Sequence, residues 1–302
     1  MNIPEPTVAL MDIDQICYAV ASMAEGKDMP DSHICQAAKQ MVEKRKKEVL
    51  ELYPAVRTFK FFISHTKNFR KEIDTDVAYK GNRPPKPKAL SLVREYFQNK
   101  YDAQMLPYLE ADDHTAMNHW ASYYDGSYKT VLVDQDKDLD QVPGHRVIPG
   151  LTRTVFKVRM PGEKPANFNG FAKAVDYLGD QEGDIIESKV VVRKPAKRFI
   201  TIGEANLSFY RQLLTGDGCD DIPGIKGMGA KTAAKVLPNE ECENTLYAKV
   251  LDTYLDYYQD DCYSEIMRMI FERAQLLYMR RFPNDLWLPP KQEKPEPMSN
   301  AY

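Results

Sequence analysis

The stretch "GDGCDDIPGIKGMGAKTAAKVL", Gly216 to Leu237, joins a cluster of acids to a glycine-rich turn and an alanine-rich run carrying lysines. Glycine turns that open a helix offer backbone N–H groups to phosphate oxygens. The acids Asp217, Asp220 and Asp221 would repel that same phosphate. The conflict resolves if the acids hold cations and the turn holds a nucleic-acid backbone beside them. Gly224, Gly227 and Gly229 frame the turn, and Lys231 and Thr232 fall in the first turn of the next helix. Such an arrangement grips phosphates without reading bases.

The remaining acids fit this reading. They recur at the ends of strand-like runs: Asp12 and Asp14 close "VALMDID", while Asp134, Asp136 and Asp138 follow "KTVLV". A third group, Glu110, Asp112 and Asp113, opens the helical run "EADDHTAMNHWASYY". In open α/β sheets ligands bind beyond the carboxyl ends of the strands. Like charges converging there are costly unless cations lie between them. Carboxylates without histidine or thiolate neighbours favour two Mg²⁺ or Mn²⁺ ions, which together can act on a phosphodiester. "DQDKDLDQVPGH" is not a calcium loop, because Leu139 and His145 stand where such a loop needs glycine and glutamate. "MDID" alone also matches the D-x-D of aspartate-nucleophile phosphatases, but Gln15 follows it and the glycine turn is left unexplained.

Bulk properties agree. The 302 residues suit one large domain or one with a smaller appendage. A 43% apolar content and a mean hydropathy of -0.52 predict a soluble chain. No run approaches the ~20 apolar residues of a membrane span, and the acidic N-terminus is unlike an export signal. Five cysteines without a C-x-x-C pair predict reduced thiols and a cytoplasmic protein. The net charge of -3 is compatible with a basic face toward a polyanion.

Strands are expected over "VALMDID", "TFKFFIS" and "KTVLVDQ", alternating with helices, which predicts an α/β fold with a mostly parallel central sheet. Asp31 and Ser32 are read as the cap of the helix "HICQAAKQMVEKRKKEVLELY". Short strands are expected between Thr152 and Ile202, a segment whose Arg193, Lys194, Lys197 and Arg198 form either a solvated hairpin or a further contact to duplex DNA. Helices follow to about residue 289, and the proline-rich tail 290–302 is expected to be disordered.

"LMDID", "YKGNR", "EADD", "DQDKDL" and "GDGCDDIPGIKGMGAKTA", in this order, resemble the 5′ nuclease family. That family includes flap endonucleases, the 5′ nuclease domain of bacterial DNA polymerase I and phage 5′–3′ exonucleases; the short segment after "YKGNR" looks most like the phage enzymes. The resemblance runs from about Val8 to Leu237. It implies a catalytic domain over residues 1–204 and a helix–three-turn–helix DNA-binding region over 205–289. The implied activity is Mg²⁺- or Mn²⁺-dependent 5′–3′ exonuclease action on duplex DNA with a 5′ end, nick or flap. The protein would act as a monomer beside replication proteins, in the host bacterial cytoplasm if phage-encoded. By motif, Asp12, Glu110 and Asp112 would hold one metal. Asp113, Asp136, Asp138 and Asp217 would serve the other, with Asp220 direct or through water. Lys80 and Arg83, assisted by Arg70, would contact the scissile phosphate. The resemblance also permits K⁺ at the hairpin. A non-catalytic DNA-binding relative is the alternative.

Two departures stand out. "PPKPKALSLVREYFQ" leaves little chain for a helical arch, which favours trimming over threading of long flaps. The family also ends its second strand with an aspartate, where this chain offers Ser64 or His65. Asp12 and Asp14, two apart on an extended strand, would share a face about 7 Å apart. Asp14 is therefore expected to replace the missing ligand, with Asp74 and Asp76 as rival donors and a capping or turn role for Asp14 as the alternative.

Overall fold

Alternation of short β-branched runs with amphipathic runs builds a layered α/β molecule. The computed structural model describes residues 3–169, 174, 177–178 and 183–290; the expected disorder beyond residue 290 lies outside them. Four strands pair in parallel: β1 (Val8–Asp12), β2 (Thr58–Phe62), β3 (Thr130–Val133) and β4 (Gly144–Ile148). They lie in the order β2-β1-β3-β4, and a later strand, Ala196–Ile200, closes the edge antiparallel to β4. The mostly parallel sheet is thus present, with β1 and β3 adjacent at its centre.

Successive side chains on these strands face opposite layers. Ala9, Met11, Val131 and Val133 pack against α1 (Asp14–Ala24), α2 (Asp31–Leu52) and α3 (Leu90–Tyr101). Leu10, Phe62 and Leu132 pack on the other side with Ala111, Ala116 and Trp120 of α4 (Ala111–Tyr124). Both faces are covered, so the strands read as near-continuous apolar runs.

Several expectations need correction. The first strand stops at Asp12, and Asp14 begins α1, an element the sequence reading passed over; Ile13 has φ −110° and ψ 4°, which is not extended. Asp31 and Ser32 lie inside α2, whose N-cap is Pro30. Strand β4 was also missed.

Numbering strands on in chain order, β5 (Leu151–Arg159), β6 (Ala166–Asn169) and β7 (Asp184–Arg193) form a separate antiparallel sheet in the order β6-β5-β7. The sheet-closing strand at Ala196–Ile200 is β8. A Thr201–Glu204 capping box then starts α5 (Ile202–Thr215), since each side chain satisfies an otherwise orphan N–H of the first turn. A tight two-stranded ribbon, β9 (Gly216–Asp217) and β10 (Ile222–Pro223), leads to α6 (Ala230–Val236), α7 (Glu243–Tyr257) and α8 (Tyr263–Leu277). These helices enclose their own apolar cluster around Leu213, Tyr210, Val250, Tyr254 and Ile270. Tyr79, from "YKGNR", is buried in that same cluster.

Candidate metal centre

The parallel register decides where the first acids go. Val8 pairs with Thr130 and Met11 with Val133, so Asp12 and Asp134 each follow the last residue paired between these strands, and Asp134 is the first charged neighbour that Asp12 feels. The α4 N-terminus brings Glu110 at the N-cap and Asp112 and Asp113 in the first turn, where the helix dipole favours negative charge. One carboxylate oxygen from each of these three lies within 4.8 Å of the others. Asp12 is half-buried and its carboxyl is raised well above the ordinary range, first by loss of solvation and then by Asp134, Asp14 and Asp112. Burial likewise raises Asp112, reinforced by Glu110 and Asp113. Anions so placed call for a cation.

A second part of the cluster follows β3. Asp136 caps a short 3₁₀ turn, Lys137–Gln141, by accepting from the Asp138 N–H at 3.0 Å. Gln212 of α5 donates to Asp138 Oδ1 at 2.7 Å and to Asp217 Oδ2 at 3.3 Å. Burial, then Asp136 and Asp217, raises Asp138 to about 7. Lys137 Nζ lies 3.0 Å from Asp217.

The basic motif links Glu110 of the first part to Asp220. Lys80 Nζ pairs with Glu110 and lies 3.4 Å from Asp220. Arg83 donates to Asp220 Oδ1 at 2.6 Å. Tyr79 Oη donates to Glu110 Oε2 at 2.6 Å and to Asp220 Oδ2 at 3.2 Å. Burial pushes the Glu110 carboxyl up, but Arg70 and Lys80 outweigh it and hold it at about 2. A 590 Å³ cleft lined by Asp14, Ser64, Lys80, Arg83, Arg94 and Glu110 opens beside these groups.

Two expected roles change, those of Arg70 and Asp14. Arg70 is only 3% exposed: it forms a two-pronged pair with Asp113 and donates to the Leu276 and Tyr278 carbonyls at 2.8 and 2.9 Å. It braces α4 from beneath and does not face the cleft. Asp113 belongs to the trio that could hold an ion, and it also pairs with Arg70 and accepts from the Arg280 N–H at 3.3 Å. Asp14, in contrast, lies outside that trio and is held by its neighbours. Its Oδ1 accepts from Arg94 at 2.7 and 3.1 Å and its Oδ2 from the Ser64 N–H at 3.0 Å. The strand geometry that would have aligned it with Asp12 is absent. Ser64 Oγ accepts from the Ala111 N–H at 2.9 Å, so it caps α4. Tyr79, Gln212 and Asp134 were outside the expected set. Tyr79 opens the basic motif "YKGNR", whereas nothing in the local pattern marks Gln212.

The hairpin is tight for a steric reason. Gly216 has φ +68°, and a Cβ there would meet the Gly224 amide nitrogen; a Cβ on Gly224 would strike the Thr215 carbonyl. Gly227 has φ +80°, and Gly229 is the N-cap of α6. Lys226, Lys231, Thr232 and Lys235 are exposed around it. Elsewhere, Arg198 lies 3.7 Å from Asp140 and 3.8 Å from Glu204, and Lys197 lies over the Tyr53 ring, while Arg193 and Lys194 are exposed at the end of β7.

This architecture has known counterparts. The crystal structure of the T5 D15 protein co-crystallised with metal ions aligns with a TM-score of 0.50 at 16% identity, over 90% of this chain and 89% of that one. The chain has a 5′ nuclease fold. A pseudo-enzyme-product complex of the bacteriophage T5 D15 flap endonuclease with DNA and metal ions aligns at 0.47 and 16% identity, covering 90% and 88%. DNA polymerase I of Synechocystis sp. is 29% identical over 202 residues, which are 62% of this chain and 18% of the polymerase's length. No protein-family model matches. Among the described residues, no helix is long and apolar enough to cross a membrane.

Proposed function

We propose that this 5′ nuclease-fold protein is a metal-dependent 5′–3′ DNA exonuclease with some activity at nicks or flaps. The observation that carries the reading is the trio Glu110, Asp112 and Asp113 at the α4 terminus, with Asp112 acting on Asp12, Asp138 gathered with Asp136 and Asp217, and Lys80 and Arg83 paired to Glu110 and Asp220. Raised carboxyls, and a buried Asp134 oxygen without a partner, fit a site built for cations. The all-carboxylate donor set fits Mg²⁺ or Mn²⁺.

Asp12, Glu110 and Asp112 would hold one ion; Asp136, Asp138 and Asp217 would hold the other, with Asp220 direct or through water. Bound ions supply Lewis acidity that activates water and neutralises charge at phosphorus. Asp113 and Arg70 fix the α4 terminus from below. Lys80 and Arg83 neutralise charge developing on the phosphate oxygens, and cleavage leaves a 5′-phosphate and a 3′-hydroxyl. The glycine hairpin and Lys231 hold the backbone of the duplex without sequence choice, with K⁺ as a further ligand of the turn. Replication proteins and the bacterial cytoplasm are the proposed setting, and residues 1–204 and 205–289 the proposed catalytic and DNA-binding units.

A non-catalytic DNA-binding role is favoured by one observation: Ser64 supplies no charge and caps α4 instead. One assay separates the two. End-labelled duplex, nicked and flapped DNA is incubated with Mg²⁺ or with EDTA. Short 5′ products with Mg²⁺ alone support the nuclease; bound but uncut DNA supports the alternative.

A further inference from the structure

We propose that Asp134 is an additional carboxylate ligand of the ion at Asp12, supplying the charge that Ser64 does not. This rests on the metal-dependent reading above and goes beyond its ligand set. Three observations carry it.

Asp134 is 0% exposed, yet its Oδ2 has no hydrogen-bond partner. Its Oδ1 accepts from Gln15 Nε2 at 3.0 Å and from the Asp136 N–H, so the carboxylate is fixed with one oxygen left over. A buried polar atom without a partner is rare and costly, the more so when charged. Second, the β1–β3 pairing ends with Met11 beside Val133, one residue before Asp12 and Asp134, and Asp134 is the first charged neighbour that Asp12 feels. Third, the cations facing it do not satisfy it. Arg146 is paired with Asp140 and the Asp136 carbonyl. Arg45 acts on Asp134 only through charge, and no ion pair joins them among the described residues. A divalent ion shared with Asp12 would give the free oxygen the partner it lacks.

Ser64 makes such a ligand necessary. Its hydroxyl is committed to the Ala111 N–H and its backbone N–H to Asp14. The second strand therefore contributes no anion at the sheet edge, and the third contributes an extra one.

The test measures Mn²⁺ binding to the full chain by electron paramagnetic resonance, with melting curves in the absence and presence of Mn²⁺. Asp134→Asn is the main variant and Asp134→Ser the second, in case the first misfolds. Removing an outer partner of a metal site typically weakens binding about 10- to 100-fold, so a direct ligand should cost at least ten-fold in the tighter Mn²⁺ affinity. The metal-free variant should melt no lower than wild type, because an unpaired buried charge has gone, and its gain in Tm on adding Mn²⁺ should shrink. A folded variant with wild-type Mn²⁺ affinity overturns this inference alone. So does a lower metal-free Tm with an unchanged Mn²⁺ increment, which marks a structural residue. Wild-type protein that binds no Mn²⁺ overturns the metal-dependent reading as well.

Discussion

The backbone N–H of Lys80 donates to the backbone carbonyl of Asp220 at 2.9 Å. Asn82 repeats the link, its N–H and side-chain amide donating to the two oxygens of Asp221 at 3.0 and 2.7 Å. Two motifs far apart in sequence, "YKGNR" and "GDGCDD", are therefore one structural unit. Lys80 has φ +55° and Asp221 φ +59°, a left-handed conformation that non-glycine residues adopt only when their surroundings compensate. The backbone that positions the cationic side chains is thereby fixed to the backbone that positions Asp217 and Asp220.

Lys80 pairs with Glu110, so under the proposed mechanism it competes with an ion there and also serves the transition state. Lys80→Met should bind Mg²⁺ more tightly than wild type while turnover falls about 10²–10³-fold, the usual loss for a preorganised electrostatic contact. Mg²⁺ titration with single-turnover cleavage separates the two effects. Near-normal turnover would remove Lys80 from the chemistry.

Asp14 now belongs to the scaffold. Asp14→Asn leaves Arg94, 11% exposed, without its charged partner, and should destabilise the fold by about 1–3 kcal/mol. The Mg²⁺ requirement for cleavage should stay close to that of wild type. A much higher requirement would return Asp14 to the ligand set.

How far the sequence revealed this arrangement depends on the residue. The acids, the basic motif and the glycine hairpin were legible because each combines unusual residue types at fixed spacing. The parallel sheet was legible from strands alternating with helices. Strand β4 was hidden because Arg146 interrupts its apolar pattern; the structure buries that guanidinium against Asp140. Asp14 was misplaced because a strand ending and a helix beginning one residue later leave no turn signal between Asp12 and Gln15. The commitments of Arg70, Asp113 and Ser64 depend on partners 40 to 200 residues away, roughly the separations of Arg70–Asp113 and Arg70–Leu276, and no local pattern encodes them.

The raised carboxyls set the pH dependence of the metal-free protein. Burial, with Asp136 and Asp217, lifts Asp138 to about 7, and burial lifts Asp134 to about 6. Both lie above the ~3.9 of an unfolded aspartate. The folded state thus favours the protonated forms, and their contribution is full below pH ~4 and is lost as pH rises through those two values. In EDTA, Tm should fall between about pH 5 and pH 8. Saturating Mg²⁺ should remove most of that fall, because ions bind the deprotonated carboxylates. Parallel melting series check both; a Tm rising with pH in EDTA would contradict the buried-acid account.

Lys231 tests the hairpin. Lys231→Ala should weaken DNA binding about equally on unrelated sequences and lower the slope of log K against log salt by about one. A loss confined to some sequences would exclude a backbone contact.

The central claim is that the acids serve catalysis through metal while other groups hold the DNA. It is tested most directly by measuring cleavage and binding of one flapped, end-labelled DNA by wild type and Asp136→Ala in Mg²⁺. The account predicts Mg²⁺-dependent 5′ products from wild type. Asp136→Ala should give no detectable product, with DNA affinity equal to wild type or tighter, since removing a carboxylate lowers repulsion toward phosphate. An Asp136→Ala protein that cleaves at near wild-type rate would contradict it.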